Sequence, residues 1–270
     1  MRYDKIALFT DLDGTLLNTH REVSAENLGA IAHFVSEGGL FGISTGRAPV
    51  NALDVLPPLP INTWSVVLNG AEGYHFPTKT AANVRCLPKP VMEPLIRQIL
   101  LTQPRINVQV CTPDRLLFLS DPALADRDFV DTHQPLDFMN ADRALEYPWV
   151  KVLLCGPRDM LEAVVRWAEQ TRIPEQTTVV FSQYTYLEFL PQSTDKGSCL
   201  HALRRQESLQ GRTIIAIGDY SNDIGLLREA DIGVAVGNAL PEVKAVADII
   251  TRTNDEHALA DLIERIIPSL

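Results

Sequence analysis

The segment KIALFTDLDGTLLN (residues 5–18) decides the fold class, because an unbroken apolar run ends in two carboxylates two positions apart. Residues 5–10 have the length of a strand, and unbroken apolar strands are typical of a sheet covered on both faces. Asp11 and Asp13 follow at once, and Gly14 allows a sharp turn after them. Like charges this close repel each other, so the two carboxylates are either solvated turn residues or neighbours of a positive group.

Short apolar runs alternate with helical patterns in both end regions of the chain. Residues 26–39 predict a helix with Ser24 as N-cap, whose apolar face is formed by Leu28, Ile31, Ala32 and Val35. The further predicted strands are 39–45, 64–70, 213–219, 232–237 and 248–251, and the further predicted helices are 197–206, 223–229 and 257–267. This alternation predicts an α/β fold with a Rossmann-like, doubly wound, mainly parallel sheet.

The middle of the chain has a different pattern, with a helix followed by two strands, twice. The elements predicted there are a helix over 91–100, a hairpin of 107–112 and 115–120, a strand over 149–155, a helix over 159–171, and strands over 177–182 and 186–191. We therefore expect a discontinuous core domain, residues 1–83 and 188–270, with an inserted α+β domain over 84–187. Residues 126–143 mix charges with aromatic side chains and predict either an exposed loop or a lid that contacts substrate.

Composition excludes some classes of function. The chain has 270 residues and a formal net charge of −10, which argues against a general binder of nucleic acid or anionic membranes. The four cysteines are far apart and predict buried free thiols in a reducing compartment. The sequence has no signal-peptide pattern and no apolar stretch approaching ~18 residues. We expect a cytoplasmic protein that is a monomer or a weak homodimer.

Polar residues fall at the carboxyl ends of four predicted strands. These groups are Asp11 and Asp13, residues 44–47 (STGR), Asn69-Gly70, and residues 218–223 (GDYSND). Ligands of open parallel sheets bind beyond this edge, so we expect the four groups to converge there. Carboxylates, hydroxyls, an amide and a guanidinium at one edge indicate phosphoryl transfer.

A divalent cation would offset the repulsion between the carboxylates of Asp11 and Asp13. Asp11, Asp13 and Asp219 offer oxygen ligands, and because these strand ends carry no His or Cys, Mg²⁺ is favoured over Zn²⁺. One carboxylate of the pair is then able to attack phosphorus, and the other to protonate the departing alkoxide. Thr45, the Gly46 amide and Lys196 are the candidate phosphate contacts.

These motifs resemble the haloacid dehalogenase superfamily, and within it the Cof-type, sugar-phosphatase-like branch with a type IIB cap. The four motifs are DLDGT (11–15), STGR (44–47), Lys196, and GDYSND (218–223), and the likeness covers nearly the whole chain. The stretches LNGA (68–71), LEFLPQSTDKG (187–197) and GVAVGNALPEVKAVADIIT (233–251) support it. The closing segment departs from the branch, because His257 stands where glycine is common.

The resemblance implies a role for each matching residue. Asp11 would be the nucleophile and a metal ligand, and Asp13 the general acid and base, with its backbone carbonyl on the metal. Asp219 would ligate Mg²⁺, and Asp223 would support the metal site. The implied phosphate contacts are the Leu12 amide, Thr45, Gly46, Lys196 and Asn222. The inserted domain would be the cap that closes over the substrate.

Two further candidates stay open between a substrate contact and a structural role. Arg47 is either a substrate contact or an ion-pair partner, and Asn69 either a substrate contact or a turn amide. Among the histidines, His75 and His133 are the candidates for contact with substrate.

The function expected from the residues and the resemblance together is a Mg²⁺-dependent phosphatase with an aspartyl-phosphate intermediate. Its substrate would be a small phosphorylated metabolite, such as a sugar phosphate or a phosphorylated cofactor. Two alternatives remain: a phosphotransferase or phosphomutase acting on sugar phosphates, and a receiver-like signalling domain that is phosphorylated on aspartate. The second carboxylate at Asp13 argues against the receiver, because it would drive turnover.

Overall fold

The computed structural model describes residues 3–53, 56–124 and 136–270 of the chain. The strands, in chain order, are β1 (Ile6–Thr10), β2 (Leu40–Ile43), β3 (Trp64–Val67), β4 (Glu72–His75), β5 (Thr80–Ala82), β6 (Asn107–Cys111), β7 (Leu116–Phe118), β8 (Leu136–Phe138), β9 (Lys151–Cys155), β10 (Thr177–Gln183), β11 (Tyr186–Pro191), β12 (Thr213–Gly218), β13 (Ile232–Ala235) and β14 (Ile249–Ile250).

The α-helices are α1 (Ala25–Ser36), α2 (Pro49–Ala52), α3 (Lys89–Thr102), α4 (Ala141–Ala144), α5 (Arg158–Glu169), α6 (Ile173–Gln176), α7 (Lys196–Leu203), α8 (Ile224–Glu229), α9 (Pro241–Lys244) and α10 (Ala258–Asp261). A π-helical turn, Leu262–Ile266, continues α10, and 3₁₀ turns include Leu68–Gly70, Ser221–Asp223 and Asn254–Glu256. No helix within the described residues is both long and apolar enough to cross a membrane.

The chain divides into two compact units. The first comprises Met1–Gly46, Leu56–Asn83 and Asp195–Leu270, and the second comprises Arg47–Val55 and Val84–Thr194. The second unit therefore includes residues 47–55 and 188–194, which the sequence analysis had placed in the core. Residues 188–191 belong there because they form the end of β11, which pairs with β10 and β9.

The first unit contains the expected parallel sheet. Its strand order is β14-β13-β12-β1-β2, and every neighbouring pair is parallel. Strand β1 lies in the middle, between β12 and β2, and its apolar side chains are buried, as an unbroken apolar strand predicts. The predicted α/β fold class is thus confirmed.

The strand predicted over 64–70 ends at Val67 and has an additional partner sheet. It pairs with β4, which pairs with β5, in a three-stranded antiparallel sheet. A single parallel bridge between Ser44 and Val66 sets it beside β2. The sequence analysis did not predict β4 or β5, because the residues of β5 are largely exposed and lack an apolar pattern.

Helix α1 begins where predicted but turns a different face to the core. The Ser24 side chain accepts a hydrogen bond from the Asn27 amide and caps the helix. The buried face consists of Asn27, Ala30, Ile31 and Phe34, whereas the predicted face shares only Ile31 with it. Asn27 is buried because its side-chain oxygen accepts a hydrogen bond from the Ala260 amide at 3.0 Å. This hydrogen bond satisfies a buried polar group, which the apolar pattern does not reveal.

The second unit is built on one six-stranded sheet. Its order is β10-β11-β9-β6-β7-β8, with antiparallel pairs except for the parallel pair of β7 and β8. Apolar side chains from β6, β9 and β11 and from helices α3 and α5 form a core of their own. The predicted hairpin over 107–120 is confirmed, whereas α4, α6 and β8 were not predicted.

The cysteines are free, and three of them, Cys111, Cys155 and Cys199, are buried as expected. Cys86 is exposed, so the prediction of a buried thiol is wrong for it.

Candidate functional site

Neighbouring strands of the first unit end side by side and deliver Asp11 and Asp219 to one edge. Thr10 of β1 lies opposite Ile217 of β12, and the Asp11 amide donates to the Ile217 carbonyl at 2.9 Å. Asp11 is therefore the first residue beyond β1, and Asp219 the first beyond β12. Because parallel strands carry their carboxyl ends to the same edge, two positions 208 apart in the chain become neighbours.

Lys196 joins this edge from the start of helix α7. Its Nζ donates to Asp11 Oδ1 at 2.6 Å and to Asp223 Oδ1 at 2.5 Å. All three side chains are almost fully buried, so the two bonds are charge-assisted and shielded from solvent. The first helical position is thus Lys196 itself, one residue before the predicted start.

Gly70 explains how the turn after β3 approaches the start of α7. Its φ is +94°, and a Cβ there would lie 2.0 Å from the Asp195 carbonyl oxygen. The Asp195 side chain caps α7 by accepting from the Ser198 amide, so the residue before Lys196 is fixed on both sides. The backbone geometry thus holds the buried ammonium in place.

Three carboxylates are close enough to share one cation. One oxygen from each of Asp11, Asp219 and Asp223 lies within 4.8 Å of the others. Within the described residues, Lys196 is the only ion-pair partner of these three carboxylates. Three acidic groups facing one ammonium leave an excess of negative charge, and an all-oxygen donor set suits a hard divalent cation such as Mg²⁺.

The electrostatics of the trio reflect this crowding. Burial raises the pKa of Asp11 well above its usual range; Lys196 opposes the shift, and the charges of Asp223, Asp219 and Asp13 add to it. Burial, with the Asp223 charge, raises the pKa of Asp219 to about 7. Burial alone would lower the pKa of Lys196, but Asp11 and Asp223 outweigh that effect and raise it. The lysine is therefore held in its charged form.

Asp223 is engaged through both carboxylate oxygens. Oδ1 accepts from Lys196, and Oδ2 accepts from the amides of Asp219 and Tyr220 at 3.1 and 3.2 Å. Asp223 thereby orients both the lysine and the backbone that carries Asp219.

Asp13 is not part of the carboxylate trio. It lies in the turn after β1, is partly exposed, and forms an isolated bridge with Leu17. Gly14 makes this turn possible with a φ of +83°, and a Cβ at Gly14 would lie 2.5 Å from Asp219 Oδ2. The turn therefore packs directly against the trio, with the Asp13 carboxylate outside it.

The candidate phosphate contacts at the ends of β2 and β3 form a connected group. The Asn222 side-chain amide donates to Asn69 Oδ1 at 3.0 Å, and the Asn69 backbone amide donates to the Thr45 carbonyl at 3.1 Å. Gly46 lies against the Asn69 side chain, so closely that a Cβ would be 2.9 Å from Nδ2. Asn69 therefore has a structural position between Gly46 and Asn222. The Leu12 side chain is fully buried, which leaves its backbone as the group that a phosphate contact would use.

The remaining candidates from the sequence are Arg47, His75 and His133. Arg47 begins the segment 47–55 of the second unit. His75 Nδ1 lies 2.8 Å from Thr78 Oγ1 in the three-stranded sheet, and its ring packs on Trp64. His133, with much of segment 126–143, lies outside the described residues.

The structure reveals polar residues that the sequence analysis gave no role. Thr15 Oγ1 donates to Asp219 Oδ1 at 2.8 Å, and Asn238 and Asn254 bind the carbonyls of the turn after β1. Both Thr15 and Asn238 lie inside stretches quoted for the family resemblance, which was the available signal. His257, at the glycine-like position, adopts φ 61° and ψ 51°, the left-handed conformation in which glycine is favoured.

Comparison with known proteins agrees with the geometry. Residues 8–263 match the family model described as haloacid dehalogenase-like hydrolase. The phosphatase YwpJ of Bacillus subtilis is 26% identical over 95% of this chain and 98% of its own length. The 5-amino-6-(5-phospho-D-ribitylamino)uracil phosphatase YwtE of the same organism is 28% identical, with 95% of this chain and 96% of its own covered.

A solved structure shows the same fold. A sugar phosphatase of HAD subclass IIB superposes with a TM-score of 0.78 at 19% identity, over 96% of this chain and 97% of that one. The family expected from the motifs is confirmed. This chain therefore belongs to the haloacid dehalogenase-like hydrolases, among the phosphoric monoester hydrolases of that family.

Proposed function

We propose that the protein is a Mg²⁺-dependent phosphatase that hydrolyses a small phosphorylated metabolite through an aspartyl-phosphate intermediate. The observation that carries the proposal is the contact of Lys196 Nζ with Asp11 Oδ1, inside a buried group of three carboxylates. A lysine in this position neutralises the nucleophile and offers a charge to the phosphate that approaches it.

The reaction has two displacements at phosphorus. In the first, a carboxylate oxygen of Asp11 forms a bond to phosphorus, the ester P–O bond breaks, and Asp13 gives its proton to the departing alkoxide. In the second, Asp13 takes a proton from water, whose oxygen attacks phosphorus. The bond from Asp11 to phosphorus then breaks, and the products are inorganic phosphate and the free enzyme.

The proposed metal site uses the residues expected from the sequence. Asp11 and Asp219 would supply carboxylate oxygens, Asp13 its backbone carbonyl, and Asp223 support through its two engaged oxygens. When bound, Mg²⁺ supplies positive charge that offsets the carboxylates and the phosphate. The excess of negative charge around Asp11 is the feature of the chain that fits such an ion.

Phosphate binding is assigned to the groups that surround the nucleophile. Lys196 would pair with a phosphate oxygen, and Thr45, the Gly46 amide, the Leu12 amide and Asn222 would donate hydrogen bonds. Asn69 would hold Asn222 through the bond at 3.0 Å. Arg47 is proposed as a substrate contact on charge alone.

The substrate class is inferred from charge and relatives together. The net charge of −10 disfavours polyanionic partners such as nucleic acid and anionic membranes, which leaves a small phosphate ester. YwtE is named for a phosphorylated ribityl compound, which agrees with a sugar phosphate or phosphorylated cofactor as the substrate here. Residues 84–187 are proposed as the cap that excludes bulk water, and the protein as cytoplasmic and a monomer or weak homodimer.

The test is a screen of phosphorylated metabolites that measures released phosphate for the wild type, Asp11→Asn, and Asp142→Asn as control. Asp142 is an exposed aspartate of the second unit that pairs with Arg97. We expect the Asp11 variant to stay folded and lose turnover, because its volume is kept while its charge is lost, and the Asp142 variant to stay active. Full activity of the Asp11 variant would refute the assignment of Asp11 as the nucleophile.

The alternatives give different results in the same screen. Phosphate that appears on an added sugar, and not in solution, would indicate a phosphotransferase. A phospho-aspartate that persists for minutes would indicate a receiver-like switch.

A further inference from the structure

The turn that carries Asp13 is closed by its own backbone. The Leu12 carbonyl accepts hydrogen bonds from the Thr15 amide at 3.3 Å and the Leu17 amide at 2.8 Å. The carbonyls of Gly14 and Leu17 need other donors. Gly14 gives the turn its shape with φ +83°, but a glycine restrains the backbone less than any other residue.

Asn238 supplies the donor for the first of these carbonyls. Its Nδ2 lies 2.8 Å from the Gly14 carbonyl oxygen, 224 positions away in the chain. Its Oδ1 accepts from the Asn254 backbone amide at 2.9 Å. One exposed side chain thus links the turn to a second asparagine.

Asn254 supplies the donor for the second carbonyl. Its Nδ2 lies 2.9 Å from the Leu17 carbonyl oxygen, and this bond is buried. The bond from the Gly237 amide to the Arg252 carbonyl, at 2.8 Å, ties together the two segments that carry the asparagines. The two amides therefore hold the turn at Gly14 and Leu17 from one platform.

We propose that Asn238 and Asn254 are positioning residues that fix the turn 13–17 and, through it, the carboxyl group of Asp13. This inference rests on the proposed function, in which Asp13 moves a proton in each of the two displacements. Proton transfer needs the donor within hydrogen-bond reach of the reacting oxygen, so a looser turn slows the chemistry. The bonds of Lys196 and Asn222 lie outside the turn 13–17, so we expect the larger effect on proton transfer by Asp13 and the smaller effect on phosphate binding.

The experiment compares Asn238→Ala with Asn62→Ala in the full-length protein. Asn62 is a matched control in the same unit: it is exposed, its side chain donates to the Gly39 carbonyl at 3.0 Å, and it accepts from the Phe41 amide at 2.7 Å. Its bonds lie at the start of β2, at the opposite end of the strand from the site. Both variants lose one donated and one accepted hydrogen bond, so a general loss of stability would affect them alike.

We expect Asn238→Ala to lower kcat about tenfold or more while KM stays within about twofold. Asn62→Ala should keep both constants within about twofold of the wild type. Hydrogen exchange supplies a second readout. The amides of residues 14–18 should exchange faster in Asn238→Ala than in the wild type, and at the wild-type rate in Asn62→Ala. Because the two asparagines act as a relay, adding Asn254→Ala to Asn238→Ala should cost less than the sum of the single changes.

Equal kcat values for the two alanine variants, or a raised KM with unchanged kcat for Asn238→Ala, would overturn the inference. A wild type that releases phosphate from no ester would instead overturn the proposed function. In that case the exchange rates at residues 14–18 still test the positioning role of the two asparagines, because unaltered exchange in Asn238→Ala would contradict it.

Discussion

Lys196 Nζ lies 2.6 Å from Asp11 Oδ1, although 185 positions separate the two residues. The same ammonium binds Asp223, so one buried cation connects the end of β1, the start of α7 and the 3₁₀ turn after β12. A buried ion pair that loses one partner leaves an uncompensated charge in the protein interior. The contact is therefore structural as well as chemical, and the two contributions can be separated by experiment.

Replacing Lys196 by Met should both destabilise the protein and abolish turnover. We expect a loss of about 3–5 kcal/mol in the free energy of unfolding, since Asp11 and Asp223 lose their shared partner. Lys151→Met is the control, because Lys151 is equally buried and pairs with Glu188 at 3.2 Å in the second unit. Urea unfolding should show both variants weakened, while phosphate release per folded molecule falls only for Lys196→Met. Normal turnover by folded Lys196→Met would remove the lysine from the proposed mechanism.

Replacing Gly14 by Ala should destabilise the protein by more than the backbone strain of a positive φ would cause. Gly211 is the control, because it also has a positive φ, +72°, but a Cβ there meets nothing within 4 Å. Gly211→Ala should lose about 1–2 kcal/mol, the cost of the left-handed conformation for an L-residue. Gly14→Ala adds a contact of 2.5 Å with Asp219 Oδ2 and should lose more stability and most of its turnover. Thermal unfolding and phosphate release are measured for both variants. Equal losses for Gly14→Ala and Gly211→Ala would show that the turn after β1 can accommodate a Cβ beside Asp219.

Glu72 should make stability depend on pH. It is fully buried in β4, neither of its carboxylate oxygens has a hydrogen-bond partner within the described residues, and burial raises its pKa from 4.5 to about 7. Strands β3 and β5 beside it carry no titratable side chain, and the nearby Tyr74 has a raised pKa, caused first by its own burial and second by Glu72.

The sign of the Glu72 effect follows from proton binding. Between pH 4.5 and about 7 the unfolded chain releases the proton that the folded chain keeps, so the wild type loses stability as pH rises through this window. Glu72→Gln cannot ionise, so its stability relative to the wild type should rise over the same window. The full difference, on the order of 3 kcal/mol, should be present above pH ~7 and absent below pH ~4. Urea unfolding at pH 4, 6 and 8 measures it, and a constant difference between the two proteins would contradict a neutral buried carboxyl.

Chelation should silence the enzyme, and Mg²⁺ should restore it. Because the ion binds the folded state, Mg²⁺ should also raise the melting temperature of the wild type by mass action. Asp219→Asn removes one carboxylate of the trio and should lose both the restoration and the shift in melting temperature. Asp142→Asn should keep both. Full activity of the wild type in EDTA would contradict the metal site.

The sequence by itself determined the class of fold, the family and the residues at the sheet edge. An unbroken apolar run predicts a covered strand because its side chains on both faces need burial, and in a parallel sheet the residue after such a strand lies at the ligand edge. Asp11, Thr45 and Asp219, which follow β1, β2 and β12 of the parallel sheet, could therefore be placed from local pattern alone. The motif at 218–223 and Lys196 indicated the family through their resemblance to its motifs. The contacts that these residues make remained predictions.

Only the tertiary structure decided which groups meet. The contact of Asp223 with Lys196, the rotated face of α1 and the hydrogen bond from Asn238 to Gly14 depend on distances between segments far apart in the chain. The surroundings of Glu72 are also set by the fold, and within the described residues neither of its carboxylate oxygens has a hydrogen-bond partner. Local periodicity reports burial, whereas a hydrogen bond depends on where the folded backbone places its donor and acceptor. The physical reason is that a polar side chain has the same identity whether it faces water or holds a carbonyl, and only the assembled fold separates the two.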